Sequence, residues 1–486
     1  MDLYRPSLAL LTDLYQLTMA YGYWKSRTHD KEAVFHLFFR QSPFGGGFTL
    51  ACGLTRAIGF IERLRFDEED LAYVGSLKGN DGAALFEPAF LDELRGLRFS
   101  CDVDGIPEGT VVFPHEPLLR VRGPILQGQL LETALLNLLN FETLIATKAA
   151  RVCLAAKGDS VLEFGLRRAQ GIDGGLAASW AAYVGGCTAT SNVLAGRLFG
   201  IPVRGTHAHS WVMSFPSEDE AFRAYAEAMP NNCVFLVDTY DTLAGVDKAI
   251  AAGRRLREQG HEMVGIRLDS GDLAYLSIAA REKLDAAGFP KAIIVASNDL
   301  DENLITSLKA QGAPIGAWGV GTRLVTGHDQ PALGGVYKMS AVRRPGEPWQ
   351  YTIKLSEQAI KVSNPGILQV RRYRTGALFA ADTLYDEDLG VPAAGQMIDP
   401  ADNTRRKALP VSPDWEDLLV PIFRAGKRVY DSPSIHAIRD RAAVQLAGFH
   451  AGIKRFVNPH RYPVGLESRL FDLKTELILK ARGLGT

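Results

Sequence analysis

Between residues 160 and 320 the chain alternates short apolar, β-branched runs with helix-like stretches, and this alternation restricts the fold more than any other feature. Residues 161–164, 201–204, 233–237, 263–268, 292–296 and 315–320 read as strands. Residues 175–184, 191–198, 219–228, 243–259, 273–287 and 301–311 read as the intervening helices. Strands that alternate with helices pair in parallel, because each helix carries the chain back across the sheet by a right-handed crossover. Units of this number and size suit an irregular (β/α) barrel; a doubly wound open sheet is the alternative. The flanks read differently. A helical opening is followed by short strands at 109–113 and 118–121, and further strands stand at 351–355 and 367–370. These are antiparallel, β-rich signals. The expected organisation is α/β: an N-terminal α+β segment at 1–130, a barrel domain at 131–340, and a C-terminal segment at 341–486 that joins the first segment in a second α+β domain.

The central strands end in polar or glycine-rich sequence. These ends are Gly165-Leu166-Arg167-Arg168, Gly205-Thr206-His207-Ala208-His209-Ser210, Asp238-Thr239-Tyr240-Asp241, Asp269-Ser270-Gly271-Asp272, Ser297-Asn298-Asp299 and Gly319-Val320-Gly321-Thr322-Arg323. In a parallel α/β fold the loops after the strands gather on one face, where sites form. Helix capping is the competing explanation, since Asp, Ser and Asn favour that position. The Gly319–Thr322 turn is the phosphate candidate, with Gly319 and Gly321 letting backbone N–H groups approach an anion. No G-x-x-x-x-G-K-[ST] run occurs, so a P-loop is excluded. Arg167, Arg168, Arg267 and Arg323 add charge at the same face and suit carboxylate or phosphate, because a guanidinium can bond two oxygens at once. Arg267 is the most constrained, since it interrupts an apolar strand between Ile266 and Leu268 and so needs a partner or a cavity. Asp238, Asp269 and Asp272 suit ribose hydroxyls or Mg²⁺ shared with phosphates. Of these, Asp272 is the metal candidate, Asp269 a catalytic candidate and Asp238, with Asn298, a substrate contact.

His207 and His209 form an H-x-H at a strand end. One reading is a metal pair of a barrel hydrolase, which requires further ligands on later strands. None of the later strand ends carries a histidine. The other readings are a nucleophilic or acid/base histidine and a hydrogen-bonded core histidine. The charge balance of 54 basic to 55 acidic residues argues against a nucleic-acid partner. Five scattered cysteines without a C-x-x-C pair point to a reduced, cytoplasmic setting. Met1 to Pro6 lack the layout of a signal peptide, and no apolar run reaches the ~18 residues of a membrane helix.

These residues carry a resemblance. Residues 11–19 (LTDLYQLTM), 163–171 (EFGLRRAQG), Thr190-Ser191-Asn192, the strand-end motifs above and Asn458-Pro459-His460-Arg461-Tyr462-Pro463 resemble the nicotinate phosphoribosyltransferases over nearly the whole chain. The resemblance implies ATP-assisted synthesis of nicotinate mononucleotide and diphosphate from nicotinate and 5-phosphoribosyl 1-diphosphate. It also implies a homodimeric, irregular α/β barrel of the type II phosphoribosyltransferase kind, in NAD biosynthesis. The family's phosphorylated histidine falls on His209, leaving His207 as support. Its nicotinate contacts fall on Tyr15, Thr206 and Arg267, and its phosphoribosyl contact on Thr322; Arg323 receives no role. ATP is implied as co-substrate and Mg²⁺ as cofactor. Tyr15, from the opening helix, implies a site shared between domains or subunits. The rival readings are a nicotinamide- or quinolinate-preferring phosphoribosyltransferase, a metal-dependent barrel hydrolase and a non-catalytic nucleotide-binding homologue.

Overall fold

The computed structural model describes residues 7–358, 361–392, 395–409 and 414–484; the opening six residues, on which the signal-peptide reading rests, lie outside them. The chain divides into two compact units. The first comprises Met1–Thr143, Ala332–Ser434 and Asp440–Thr486, and the second Leu144–Pro331 with Ile435–Arg439.

The second unit is built on a six-stranded sheet in which every pairing is parallel. Its hydrogen-bonded order is Ala189–Thr190, Ser160–Glu163, Ala317–Val320, Ile293–Ala296, Gly265–Leu268, Val234–Leu236. The strand at 160 is thus paired with the strand at 317, as in a cyclic arrangement. Among the described residues, however, no pairing joins the Ala189–Thr190 edge to the Val234–Leu236 edge, and a closed hydrogen-bonded barrel is not found. The expected strand at 201–204 is reduced to a single bridge, Thr190 to Val203. Pro202 explains this, because it offers no N–H to a ladder. The two-residue strand Ala189–Thr190 and the short helix His209–Met213 are additions to the sequence reading. The remaining strands and helices lie close to their expected positions. Asp241, Asp272 and Asp301 accept backbone N–H bonds at the starts of Thr242–Glu258, Leu273–Ala286 and Glu302–Ala310. Among the strand-end residues, the capping explanation therefore holds for Asp241 and Asp272.

The first unit contains a seven-stranded antiparallel sheet, in which Glu32–Phe39 is an interior strand, and a six-stranded sheet in which Leu378–Asp386 is an interior strand. The second sheet has one parallel pairing, Leu378–Asp386 with Val464–Glu467. The run at 351–355 contributes only Gln350–Tyr351, and the run at 367–370 extends to Leu368–Thr375.

A charged group sits at the centre of this unit. The Arg372 and Asp382 side chains are fully buried. Arg372 donates from Nε to Asp382 Oδ1 at 2.9 Å, from Nη1 to Gln445 Oε1 at 2.8 Å and from Nη2 to the Val111 carbonyl at 2.8 Å. Tyr462 donates to Asp382 at 2.9 Å. Burial, together with the nearby Asp382 charge, holds the Glu116 carboxyl well above its ordinary value, which favours its neutral form. Asp382→Ala leaves a buried guanidinium without its counter-charge, and is expected to destabilise this unit by about 3–5 kcal/mol. Glu116→Gln keeps shape and neutrality and is expected to be nearly silent. It should also remove a loss of stability as pH rises above about 4.3, the unfolded glutamate value. Denaturant titrations at two pH values check both.

Candidate active site

Side-chain hydrogen bonds link several of the polar strand ends of the second unit, those near 206–209, 238–239, 269–270 and 297. His209 opens the helix His209–Met213. Its Nδ1 lies 3.1 Å from Thr239 Oγ1 and its Nε2 3.8 Å from Asp269 Oδ2. The imidazole is 38 % exposed, so it is held on two sides and open to solvent. Asp269 is fixed in turn. Its Oδ1 accepts from the Ser297 hydroxyl, and its backbone N–H donates to Asp238 Oδ2 at 2.8 Å. Ser270 Oγ donates to the same Asp238 oxygen at 2.7 Å. Asp238 Oδ1 is buried and has no hydrogen-bond partner.

His207 plays a different part. It is 8 % exposed. Its Nε2 accepts the Leu236 N–H at 3.2 Å, and its ring packs edge-on against Tyr225 at 4.7 Å. Burial pushes its pKa down to about 4, so the ring is neutral near pH 7.

Arg267 rises from the Gly265–Leu268 strand between two fully buried neighbours, Ile266 and Leu268. Its Nη1 donates to the Thr206 hydroxyl, which donates onward to the His207 carbonyl at 3.2 Å. Its Nε is buried without a partner, and no ion pair to it is found among the described residues. Burial lowers its pKa, nearby Asp269 and Asp238 offset this, and Arg167 adds like charge. Arg267 therefore lacks an ion pair but lies among the carboxylates of Asp269 and Asp238, while Arg167 stands exposed; a desolvated guanidinium with an unpaired Nε is a candidate binding group for an anion.

Other predicted residues are placed as follows. Asn298 has φ +116°, a strained value for a side-chain-bearing residue and one that clusters at functional loops. A Cβ at Gly319 would lie 2.7 Å from the Phe164 ring, so packing against that ring requires glycine at this position. Thr322 begins the four-residue helix Thr322–Val325 after Gly321. Arg168 is exposed, and its side chain makes no hydrogen bond or ion pair among the described residues. Asp272 is engaged as a helix cap. Tyr15 belongs to the first unit, on the helix Leu14–Lys25, and is 47 % exposed. Thr239 and Ser297, which orient His209 and Asp269, were not singled out from the sequence, although both lie inside the strand-end motifs.

The first unit holds a cavity of about 680 Å³ lined by Arg40, His115, Arg461, Tyr462 and Lys474, with Asp399 as the acidic group. Arg461 pairs with Asp399 at 3.2 Å, while among the described residues Lys474 bonds only the neutral Asn364, at 2.8 Å. Burial draws Lys474 down to about 8 and His115 to about 4. Arg40 Nε is buried without a partner. Also in this unit, Cys52, Glu108 and Glu142 bring possible metal-ligand atoms within 4.8 Å of one another. Their carboxylates are already taken by the Gly53 N–H, Thr55 and Arg56, which makes a structural network of them.

The chain matches the nicotinate phosphoribosyltransferase (NAPRTase) N-terminal domain family over residues 10–140 and the nicotinate phosphoribosyltransferase C-terminal domain family over residues 369–474. It is 43 % identical over 477 residues to the nicotinate phosphoribosyltransferase of Bacillus subtilis, covering 97 % of this chain and 95 % of that protein. The Homo sapiens nicotinate phosphoribosyltransferase is 37 % identical over 526 residues, covering 96 % of each. Among solved structures, human nicotinic acid phosphoribosyltransferase superposes with a TM-score of 0.83 at 34 % identity, over 96 % of this chain and 99 % of that one. Nicotinate-nucleotide pyrophosphorylase from Pyrococcus furiosus shares the fold, with a TM-score of 0.71 at 21 % identity, over 92 % and 99 % of the two chains.

Proposed function

The chain belongs to the nicotinate phosphoribosyltransferase family, and from that premise we propose that it transfers the phosphoribosyl group of 5-phosphoribosyl 1-diphosphate to nicotinate in NAD biosynthesis, assisted by ATP through a phosphohistidine at His209. The observation that carries the reading is Arg267: a half-buried guanidinium with a neutral hydrogen-bond partner, on the strand end beside the His209–Asp269 pair. A site of that kind is completed by an anionic ring substituent, and nicotinate brings a carboxylate.

In the transfer, the bond from ribose C1 to the diphosphate oxygen breaks and the pyridine nitrogen bonds to C1. Diphosphate leaves with the electron pair. The ribose gains positive character in the transition state, and donors aimed at the leaving phosphates stabilise their charge. Positioning the ring nitrogen over C1 is a matter of proximity, supplied by Arg267 and Thr206 at one end and by the Asn298 loop and Thr322 at the other. Phosphorylation of His209 breaks the β–γ bond of ATP and forms an N–P bond, and water later releases phosphate. Thr239 and Asp269 hold the imidazole for that exchange. Mg²⁺ fits the donor set, because Asp238 Oδ1 is an orphaned buried carboxylate oxygen in the same set of strand ends as the Asp269 carboxylate; Asp238 suits it better than the capping Asp272. When bound, the ion neutralises phosphate charge.

The test is nicotinate mononucleotide formation by the purified protein, with and without ATP, on nicotinate, nicotinamide and quinolinate side by side. Turnover on nicotinate, faster with ATP, is expected. Preference for either other ring would replace the substrate, and ligand binding without diphosphate release would mark a non-catalytic homologue.

A further inference from the structure

Arg323 follows Thr322 in the turn assigned above to phosphate, yet its own charge is spent elsewhere. Its Nη1 lies 3.1 Å from Asp301 Oδ2 and 3.8 Å from Asp329 Oδ1. Asp301 is 7 % exposed, and its other oxygen caps the helix Glu302–Ala310. Asp329 Oδ2 lies 2.7 Å from Lys148 Nζ, which is fully buried and 2.7 Å from Glu302 Oε2. Glu302 Oε1 takes Arg151 Nε at 2.7 Å. The result is an alternating series: Arg151, Glu302, Lys148, Asp329, Arg323, Asp301. Isolated surface pairs hold little. This one is anchored on side chains that burial has already fixed, so ordering Arg323 costs less conformational entropy.

The series joins two consecutive strand-end loops. Asp301 stands just beyond Asn298, whose positive φ must be maintained by its surroundings. Arg323 stands at the start of the helix Thr322–Val325. We infer that Arg323 is a positioning residue: it braces the Thr322 turn against the Asn298 loop, so that 5-phosphoribosyl 1-diphosphate meets donors already in place. This rests on the function proposed above. The nicotinate end, carried by Thr206 and Arg267 on other strand ends, does not depend on the brace. A misplacement on the order of 1 Å can cost about 100-fold in rate or affinity, so a brace of this kind has a measurable effect without touching substrate.

The test compares Arg323→Ala, Asp301→Asn and the double variant in steady-state assays, with thermal midpoints recorded. Asparagine caps a helix about as well as aspartate, so Asp301→Asn removes the charge and spares the helix. Each single variant is expected to raise KM for 5-phosphoribosyl 1-diphosphate about tenfold, with KM for nicotinate and kcat within about twofold, and the double variant to be no worse than either, as coupled partners behave. A raised KM in Arg323→Ala alone would make Arg323 a direct phosphate ligand and overturn the brace. Equal increases for both substrates would reduce it to general stability. A wild-type protein with no turnover removes the functional reading and this inference with it; wild-type turnover with unchanged KM in the variants removes this inference alone.

Discussion

His209→Ala is expected to abolish covalent labelling by γ-labelled ATP and the stimulation of turnover by ATP, while the thermal midpoint stays within about 1–2 °C of wild type. The imidazole is 38 % exposed and makes one side-chain hydrogen bond, to Thr239, and substitutions at such positions usually move stability by about 0.5 kcal/mol or less. His207→Ala is the informative contrast. His207 is buried, and its Nε2 satisfies the Leu236 N–H inside a sheet strand. Removing it orphans that donor at a cost of about 1–3 kcal/mol, yet labelling of the remaining folded protein should persist. The two histidines of one H-x-H thus separate by opposite effects, one on chemistry and one on stability. Label that survives in His209→Ala on another residue would sink the assignment. Thr239→Val should slow labelling without abolishing it, since it removes the partner that orients the ring.

How far these roles were legible in the sequence depends on the range of the forces involved. The parallel strands were legible because burial on both faces makes them short apolar runs, as in Ile293–Ala296. Ala189–Thr190 was not, because two residues carry no period. Pro202 marks the failure of a strand that hydropathy alone suggested: the run is apolar enough, but the ladder lacks its donor. Asp269 and Asp272 are indistinguishable as letters three residues apart. One faces His209 and the other caps a helix, and the difference lies in where the helix begins. Gly319 was read as a place for an anion to approach; the Phe164 ring, 2.7 Å from its would-be Cβ, is a second reason for glycine there, a contact between residues far apart in sequence. The cavity of the first unit left no local signal, being assembled from residues near 40, 115, 400, 460 and 474.

Arg267→Ala should produce the largest change in substrate selectivity. In wild type, the guanidinium on this strand end has Thr206 as its hydrogen-bond partner and a buried Nε with none. A carboxylate on the pyridine ring fills that deficit; a carboxamide supplies an oxygen but no charge, and leaves a desolvated cation uncompensated. A site built around a buried polar group rejects ligands that leave it unpaired by far more than a hydrophobic pocket rejects an extra methylene. Truncation removes both the attraction for the acid and the penalty against the amide. The expected result is a fall of about 10²–10³ in kcat/KM for nicotinate, little change in KM for 5-phosphoribosyl 1-diphosphate, and nicotinamide turnover equal to or above its wild-type value. Arg267→Lys should recover only part of the loss, since an ammonium on a flexible stem lacks the planar fork that meets two carboxylate oxygens. Parallel losses for nicotinate and 5-phosphoribosyl 1-diphosphate would assign Arg267 to the framework of the site, where its bond to Thr206 holds the loop that carries His209. Retained His209 labelling in Arg267→Ala, together with lost discrimination between acid and amide, would separate recognition of the ring from energy coupling within one set of strand ends.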